Sequence, residues 1–402
     1  MSQMKDLQEK LQQRLKEREP EIIELRRYMH QHPELSFKEE KTAKFIADYY
    51  EGKDCLIKTN VGDGYGITID IQGGLPGANL AIRADFDALP IQEDTPFPFA
   101  SQNPGVMHAC GHDGHTAYMM VLADTLIELK DELPGMIRVL HQPAEEIPPG
   151  GAIGMIEAGC LDGIDHVLGA HVMTNMTLGT IGYREGAIQT GRSTFKLKLQ
   201  GKGGHGAAPH EANDTIVAAA HFITAVQTIV SRRIKPADTV TVTIGSFDGA
   251  GIPNIIKDSV SLSGDVRVMC ESNLAVVEEQ FKQILDGICQ AFGLTYDLDY
   301  SSDYPVLMND AALTEMTAKA FQEANIENVT DIFRCEPQTP SEDFAYYAKV
   351  KPSSFFYIGA TKEGEEMFPH HHPKFQIDEE CLLIAARAMG SAVLEYQFNG
   401  VK

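Results

Sequence analysis

The chain has 402 residues, 43% of them hydrophobic and 23% charged, and a net charge of −23. That composition is globular rather than disordered, and the length exceeds what one ordinary core organises, so two domains or one large elaborated domain are expected. The acidic excess argues against nucleic acid or an anionic membrane as partner, because both repel such a surface.

No run approaches the ~18 consecutive apolar residues of a transmembrane helix. The charged opening segment, residues 1–21, lacks the apolar stretch of a signal peptide. The seven cysteines (Cys55, Cys110, Cys160, Cys270, Cys289, Cys335 and Cys381) are scattered and odd in number, which is no disulfide framework. A reducing, cytoplasmic setting is expected.

Residues 4–30 read as helix, with Pro20 opening a second segment whose face carries Ile22, Ile23, Arg26 and Met29. It stops at His30-Gln31-His32-Pro33. These histidines could serve as ligands, but capping and packing the helix end is the expected role. A further amphipathic run carries Thr42, Phe45, Ile46 and Tyr49. Strands at 66–71 and 79–84 then flank a Gly/Pro turn, and the second runs into Asp85-Phe86-Asp87-Ala88-Leu89-Pro90. Carboxylates just past a strand end lie where open α/β sheets place their sites; plain turn acids are the alternative.

The stretch Met107-His108-Ala109-Cys110-Gly111-His112-Asp113-Gly114-His115 offers a thiol and three imidazoles ahead of a helical pattern (Ala117, Met120, Val121, Leu126, Leu129). Thiolate and imidazole are the donors that first-row divalent metals bind best. Cys110 and His112 lie two apart, with Gly111 keeping the backbone between them uncrowded. The competing reading is a His-rich loop with Cys110 a small buried hydrophobe.

A buried-strand signal at 136–141 ends in Gln142-Pro143-Ala144-Glu145-Glu146. A helix at 152–158 and a strand at 166–172 bearing His171 follow. Such alternation is the mark of a mainly parallel sheet covered by helices, an α/β architecture. Near Tyr183 the pattern changes to strands with one wet face, and the order β-α-β-β-α-β follows in about 115 residues, the ferredoxin-like arrangement. We therefore expect a discontinuous larger domain, residues 1–184 and 300–402, interrupted by an inserted α+β domain at 185–299. The insertion carries the glycine-flanked His205. After Ala311 the α/β pattern resumes and passes through His370-His371-His372-Pro373 to a closing helix.

Five phrases in this order, Arg83–Pro90, His108–Asp113, Gln142–Glu146, Gly203-Gly204-His205-Gly206 and Ser341-Glu342-Asp343-Phe344, resemble the di-metal amidohydrolases related to hippurate hydrolase, indoleacetyl-amino-acid hydrolases and N-acetyldiaminopimelate deacetylase. These form a branch of the aminoacylase/carboxypeptidase superfamily, and the resemblance runs from about Glu24 to Asp378. It implies a catalytic α/β domain with an inserted lid that forms homodimers or higher oligomers. It implies two divalent ions per chain, manganese or zinc foremost and cobalt or nickel admissible, held by Cys110, His112, Glu146, His171 and His371, with Cys110 bridging. The family's His-x-Pro pattern selects His371; His370 and His372 are the alternatives. Glu145 would be the general base, with Asp85 and Asp87 orienting ligands from behind. By the same resemblance His205 would contact the substrate carbonyl across the dimer, and Asn254 and Arg267 would bind the substrate carboxylate. The implied substrate is a small N-acyl amino acid or similar amide. A dipeptidase or carboxypeptidase with the same machinery, and a catalytically silent metal- or ligand-binding relative, are the rival readings. Glu145 argues against the silent one, which has no use for a base.

Overall fold

The computed structural model describes residues 2–62 and 64–401, and the chain divides into two compact units. The first comprises the residues up to Ile188, Met308–Glu336 and those from Asp343 onward; the second comprises Gln189–Leu307 and Pro337–Glu342.

The first unit opens with helices α1 (Ser2–Glu17), α2 (Glu19–Gln31) and α3 (Glu40–Tyr50). Strands β1 (Leu56–Val61), β2 (Gly66–Gln72) and β3 (Leu75–Asp85) follow, then α4 (His112–Leu129), β4 (Pro134–Gln142), α5 (Gly151–Glu157), β5 (His166–Thr177) and β6 (Thr180–Tyr183). The second unit supplies β7 (Gly191–Gln200), α6 (Thr215–Val226), α7 (Thr228–Arg233), β8 (Val240–Asp248), β9 (Ser259–Val268), α8 (Ser272–Phe292) and β10 (Thr295–Tyr304). The first unit resumes with α9 (Ala311–Ala324), β11 (Asp331–Arg334), α10 (Phe344–Val350), β12 (Ser353–Thr361) and α11 (Glu380–Asn399).

In the first unit eight strands form one sheet in the order β1-β2-β4-β3-β5-β12-β6-β11. The central run β4-β3-β5-β12 is parallel, whereas β1, β2 and β6 pair antiparallel with their inner neighbours. Its middle strands read as continuous apolar segments (Leu80, Ala81, Ile82; Val167, Leu168, Ala170) because helices cover both faces. Helix α4 is apolar almost all round and buried along its length, the behaviour of a helix inside a core rather than on it. The parallel register sets Asp85 opposite Gln142, so β3 and β4 end at one sheet edge. The phrases ending in Asp87 and Glu146 leave the sheet there together.

The second unit is a four-stranded antiparallel sheet in the order β8-β9-β7-β10 with α6, α7 and α8. That order and connectivity are the ferredoxin-like arrangement. Phe195, Leu197 and Leu199 point inward in alternation with exposed Lys196, Lys198 and Gln200. The rings of Phe195 and Phe222 meet Phe281 of α8 at 4.7 and 5.1 Å.

Several features differ from expectation. The first helix of the inserted β-α-β-β-α-β pattern is broken at Gln227 into α6 and α7. Edge strands β1 and β11 and the inner strand β6 were not expected. Residues Pro337–Glu342 belong with the second unit, where Thr190 N–H donates to Pro340 O (3.0 Å) and Thr190 Oγ1 to Thr339 O (2.8 Å).

Candidate metal centre

Cys110 lies in the loop that enters α4, and Gly111 caps that helix with φ +97°. A Cβ at Gly111 would also stand 2.5 Å from Val172 Cγ2, so conformation and space both require glycine. The resulting sharp entry sets Cys110 before the helix and His112 in its first turn.

The donor atoms of Cys110, His112 and His171 lie within 4.8 Å of one another, and so do those of Cys110, Glu146 and His371. Cys110 is common to both groups. Its Sγ is 3.5 Å from His171 Nε2, and His371 Nε2 is 3.3 Å from Glu146 Oε2. Glu145, buried, forms a further group with His112 and Glu146. The five residues expected as ligands and the expected base thus converge at the sheet edge of the first unit.

The donor set fits divalent cations. His112 Nε2 and Glu146 Oε1 are buried without a hydrogen-bond partner, 3.9 Å apart. Leaving such atoms unpaired costs about 1–3 kcal/mol each, which coordination would relieve. Burial alone would drive His112 neutral, but Asp85, Asp87 and Glu146 hold its pKa up at about 10. A field that keeps a proton on a fully buried imidazole equally favours a metal ion there. Burial, then Glu146, Glu145 and Asp85, push the Cys110 thiol well above its ordinary range, so it needs a cation beside it to become a thiolate.

The ligands are aimed from behind. His112 Nδ1 donates to Asp87 Oδ1 (3.0 Å), which turns Nε2 toward the other donors. The second Asp87 oxygen accepts from Ser36 Oγ (2.7 Å) and from Glu146 N–H (3.0 Å). One carboxylate therefore orients both a side chain and the backbone of a second candidate ligand. His171 Nδ1 donates to Val172 O (2.6 Å), leaving Nε2 facing Cys110.

Of the three C-terminal histidines, two lie near Cys110. His371 occupies a left-handed backbone conformation (φ 66°), its N–H donating to Ala109 O (2.8 Å), with a half-exposed side chain. His370 Nδ1 is 3.6 Å from Cys110 Sγ, its ring 5.2 Å from that of His171. His372 instead packs on Phe368 (5.2 Å) and accepts from Lys374 N–H (3.0 Å). His30 is buried between Asp113 (2.9 Å) and Glu93 (3.2 Å), and His32 bonds Tyr28 O (2.7 Å); neither belongs to a donor group among the described residues.

In the second unit His205 is exposed and pairs with Ile255 in a two-residue ladder. Gly206 N–H donates to Asn254 O (2.8 Å), bringing two expected substrate-binding residues together. Ala207 N–H donates to His205 Nδ1 (3.1 Å), which leaves Nε2 outward. Arg267 is partly buried and tied down, with Nε to Asp265 Oδ2 (2.7 Å) and Nη1 to Ser341 Oγ (3.1 Å). The sequence offered His115 only as one of three imidazoles and Arg83 only as the start of a family phrase, with no separate role for either; both are fully buried behind the donors. The one available signal was the three-residue spacing of His112 and His115, which sets both on one helix face.

Comparison with known proteins finds relatives along nearly the whole chain. A candidate aminohydrolase from methicillin resistant Staphylococcus aureus has a solved structure that is 58% identical, with a TM-score of 0.91 over 97% of this chain and 99% of that one. The Bacillus subtilis YXEP protein, a dinuclear metal binding peptidase from the M20 family, is 32% identical with a TM-score of 0.81, covering 95% and 99% of the two chains. An N-acetyl-L-cysteine deacetylase from Bacillus subtilis is 39% identical over 92% of this chain and 86% of its own length. Residues 81–395 match the model of peptidase family M20/M25/M40. That match spans most of the chain and takes in the edge where Cys110, His112, Glu145, Glu146, His171 and His371 meet, so the chain belongs to peptidase family M20/M25/M40.

Proposed function

We propose that the protein hydrolyses the amide bond of N-acyl amino acids or similar small amides, using two divalent ions held by Cys110, His112, Glu146, His171 and His371. The observation that carries this reading is the one thiol common to two donor groups, with a further buried carboxylate, Glu145, beside them. When bound, such a pair of ions lowers the pKa of the attacking water and polarises the scissile carbonyl. The chain's own residues do the rest. Glu145 takes the proton of the attacking water and gives it to the leaving amine nitrogen as the C–N bond breaks. Asp87 holds the imidazole of His112 and the backbone of Glu146 in place throughout. His205 with its outward Nε2, Asn254 and the anchored guanidinium of Arg267 are suited to the carbonyl and carboxylate of the substrate.

Manganese or zinc is our reading of the metal, since thiolate, imidazole and carboxylate donors together suit both. The seven free thiols fit a reducing cytoplasm. We read the second unit as a lid that dimerises: edge strand β8 is unpaired on one side, and Ile216, Val217, Phe247, Ile252 and Ile255 are exposed apolar residues of that unit. Similarity to a deacetylase of N-acetyl-L-cysteine favours acyl amino acids over peptides. The test is a turnover screen of the purified protein with manganese, zinc, cobalt or nickel added back, against acetyl-, benzoyl- and indoleacetyl-amino acids and dipeptides. Faster turnover of at least one acyl amino acid than of any dipeptide is expected; the opposite order would replace this reading with a dipeptidase.

A further inference from the structure

Asp85, His112 and His115 form one more group of donor atoms within 4.8 Å, which by distance alone resembles another ion site. The hydrogen bonds around it say otherwise. His115 Nδ1 is 2.7 Å from Asp85 Oδ1, and its Nε2 accepts from Val172 N–H at 3.0 Å. An amide can only donate, so Nε2 carries the lone pair and Nδ1 carries the proton. Both ring nitrogens are used, and neither is left for a metal. Asp85 is equally committed: Arg83 Nη1 bonds its other oxygen at 2.5 Å, and Thr116 Oγ1 donates to its carbonyl (2.8 Å). Arg83, itself 1% exposed, is held in turn by Gln142 Oε1 (2.9 Å) and Asp343 Oδ1 (2.8 Å).

The place of this chain of bonds in the sheet explains its purpose. The β3–β5 ladder ends with Arg83 opposite Gly169. Beyond that point β5 lacks its β3 neighbour, and an amide buried there must find another acceptor. His115, one turn into α4 from His112, reaches across and takes the amide of the residue that follows His171. Gly111 lets the start of the same helix close onto the Val172 side chain.

We propose that His115 is a positioning residue that fastens α4 to β5, fixing the distance between His112 and His171, with Arg83 and Asp85 setting its tautomer. The proposal rests on the metal-centre reading given above, and its test separates the two. Full-length protein is stripped of metal and titrated with cobalt(II) in competition with a chelator, as wild type, His115→Ala and His115→Gln. The glutamine carries one acceptor for the Val172 amide and one donor for Asp85, but cannot replace an imidazole donor. His115→Ala should weaken cobalt binding by about 10–100-fold, and His115→Gln should recover most of that loss with the wild-type absorption spectrum. Wild-type affinity in His115→Ala, or a His115→Gln variant as weak as the alanine with one imidazole donor missing from its spectrum, would overturn the proposal. Should His115→Ala not fold, His115→Gln alone decides by the same spectrum. Wild-type protein that binds no cobalt would refute the metal centre instead. Hydrogen exchange at the Val172 amide in metal-free protein then judges the fastening by itself: faster in the alanine and restored in the glutamine supports it, and equal rates in all three overturn it.

Discussion

At the scale of single residues, neighbours in sequence have different duties, and substitutions should separate them. Cys110 is the donor common to both groups, so Cys110→Ser should remove most bound metal as well as activity. Two ions per chain remaining in that variant by elemental analysis would make Cys110 a packing residue. Glu145→Gln preserves shape but cannot accept a proton, so turnover should fall by roughly 10²–10⁴ with metal content unchanged. Glu146→Gln should lose metal as well, because its carboxylate meets both Cys110 and His371 in one donor group. Metal lost at 145 but not at 146 would exchange the two assignments. Arg267 is held by Asp265 and Ser341 and fits a bidentate grip on a carboxylate. Arg267→Lys should therefore raise KM while leaving kcat nearly unchanged, and an effect confined to kcat would place the residue elsewhere in the reaction.

Elements explain why much of this was legible in the sequence and why some was not. The central strands and α4 announced themselves because burial on both faces imposes long apolar runs (Leu80, Ala81, Ile82; Met119, Met120, Val121). The donor phrases sit at element ends, where Gly111 and the strand-end carboxylates punctuate the pattern. Strands β1 and β11, by contrast, are edge strands with no fully buried residue, so they carry no alternation to find. The break at Gln227 was hidden because apolar residues continue through it. The bonds of Arg83 and His115 were invisible for another reason: they join residues such as Arg83 and Asp343, 260 positions apart, and only the fold brings those together. Entry into α4 is the most exacting local feature. Gly111→Ala combines a left-handed φ with a clash against Val172 and should cost about 1–3 kcal/mol. Chemical denaturation of metal-free protein reads that loss; an unchanged midpoint would mean the helix start is looser than its geometry implies.

For the whole molecule, the proposed reading divides its parts between two units, the metal centre in one and the candidate substrate-binding residues in the other. If His205 serves a partner's metals, His205→Ala and Glu145→Gln chains, each inactive alone, should complement one another after subunit exchange. Half the dimers are then mixed, and each has one intact site, so recovery should approach about one quarter of wild-type activity. Exchange seen by native mass spectrometry without recovery would mean that each chain supplies its own His205. All of this presupposes an amidohydrolase that works through two ions. The direct test is to strip the protein of metal and titrate manganese or zinc back while following both bound metal and hydrolysis of an N-acetyl amino acid. The account predicts negligible activity without metal and a rise that levels off at two ions per chain. Full activity in the stripped protein, or a plateau reached with no ion bound, would contradict it.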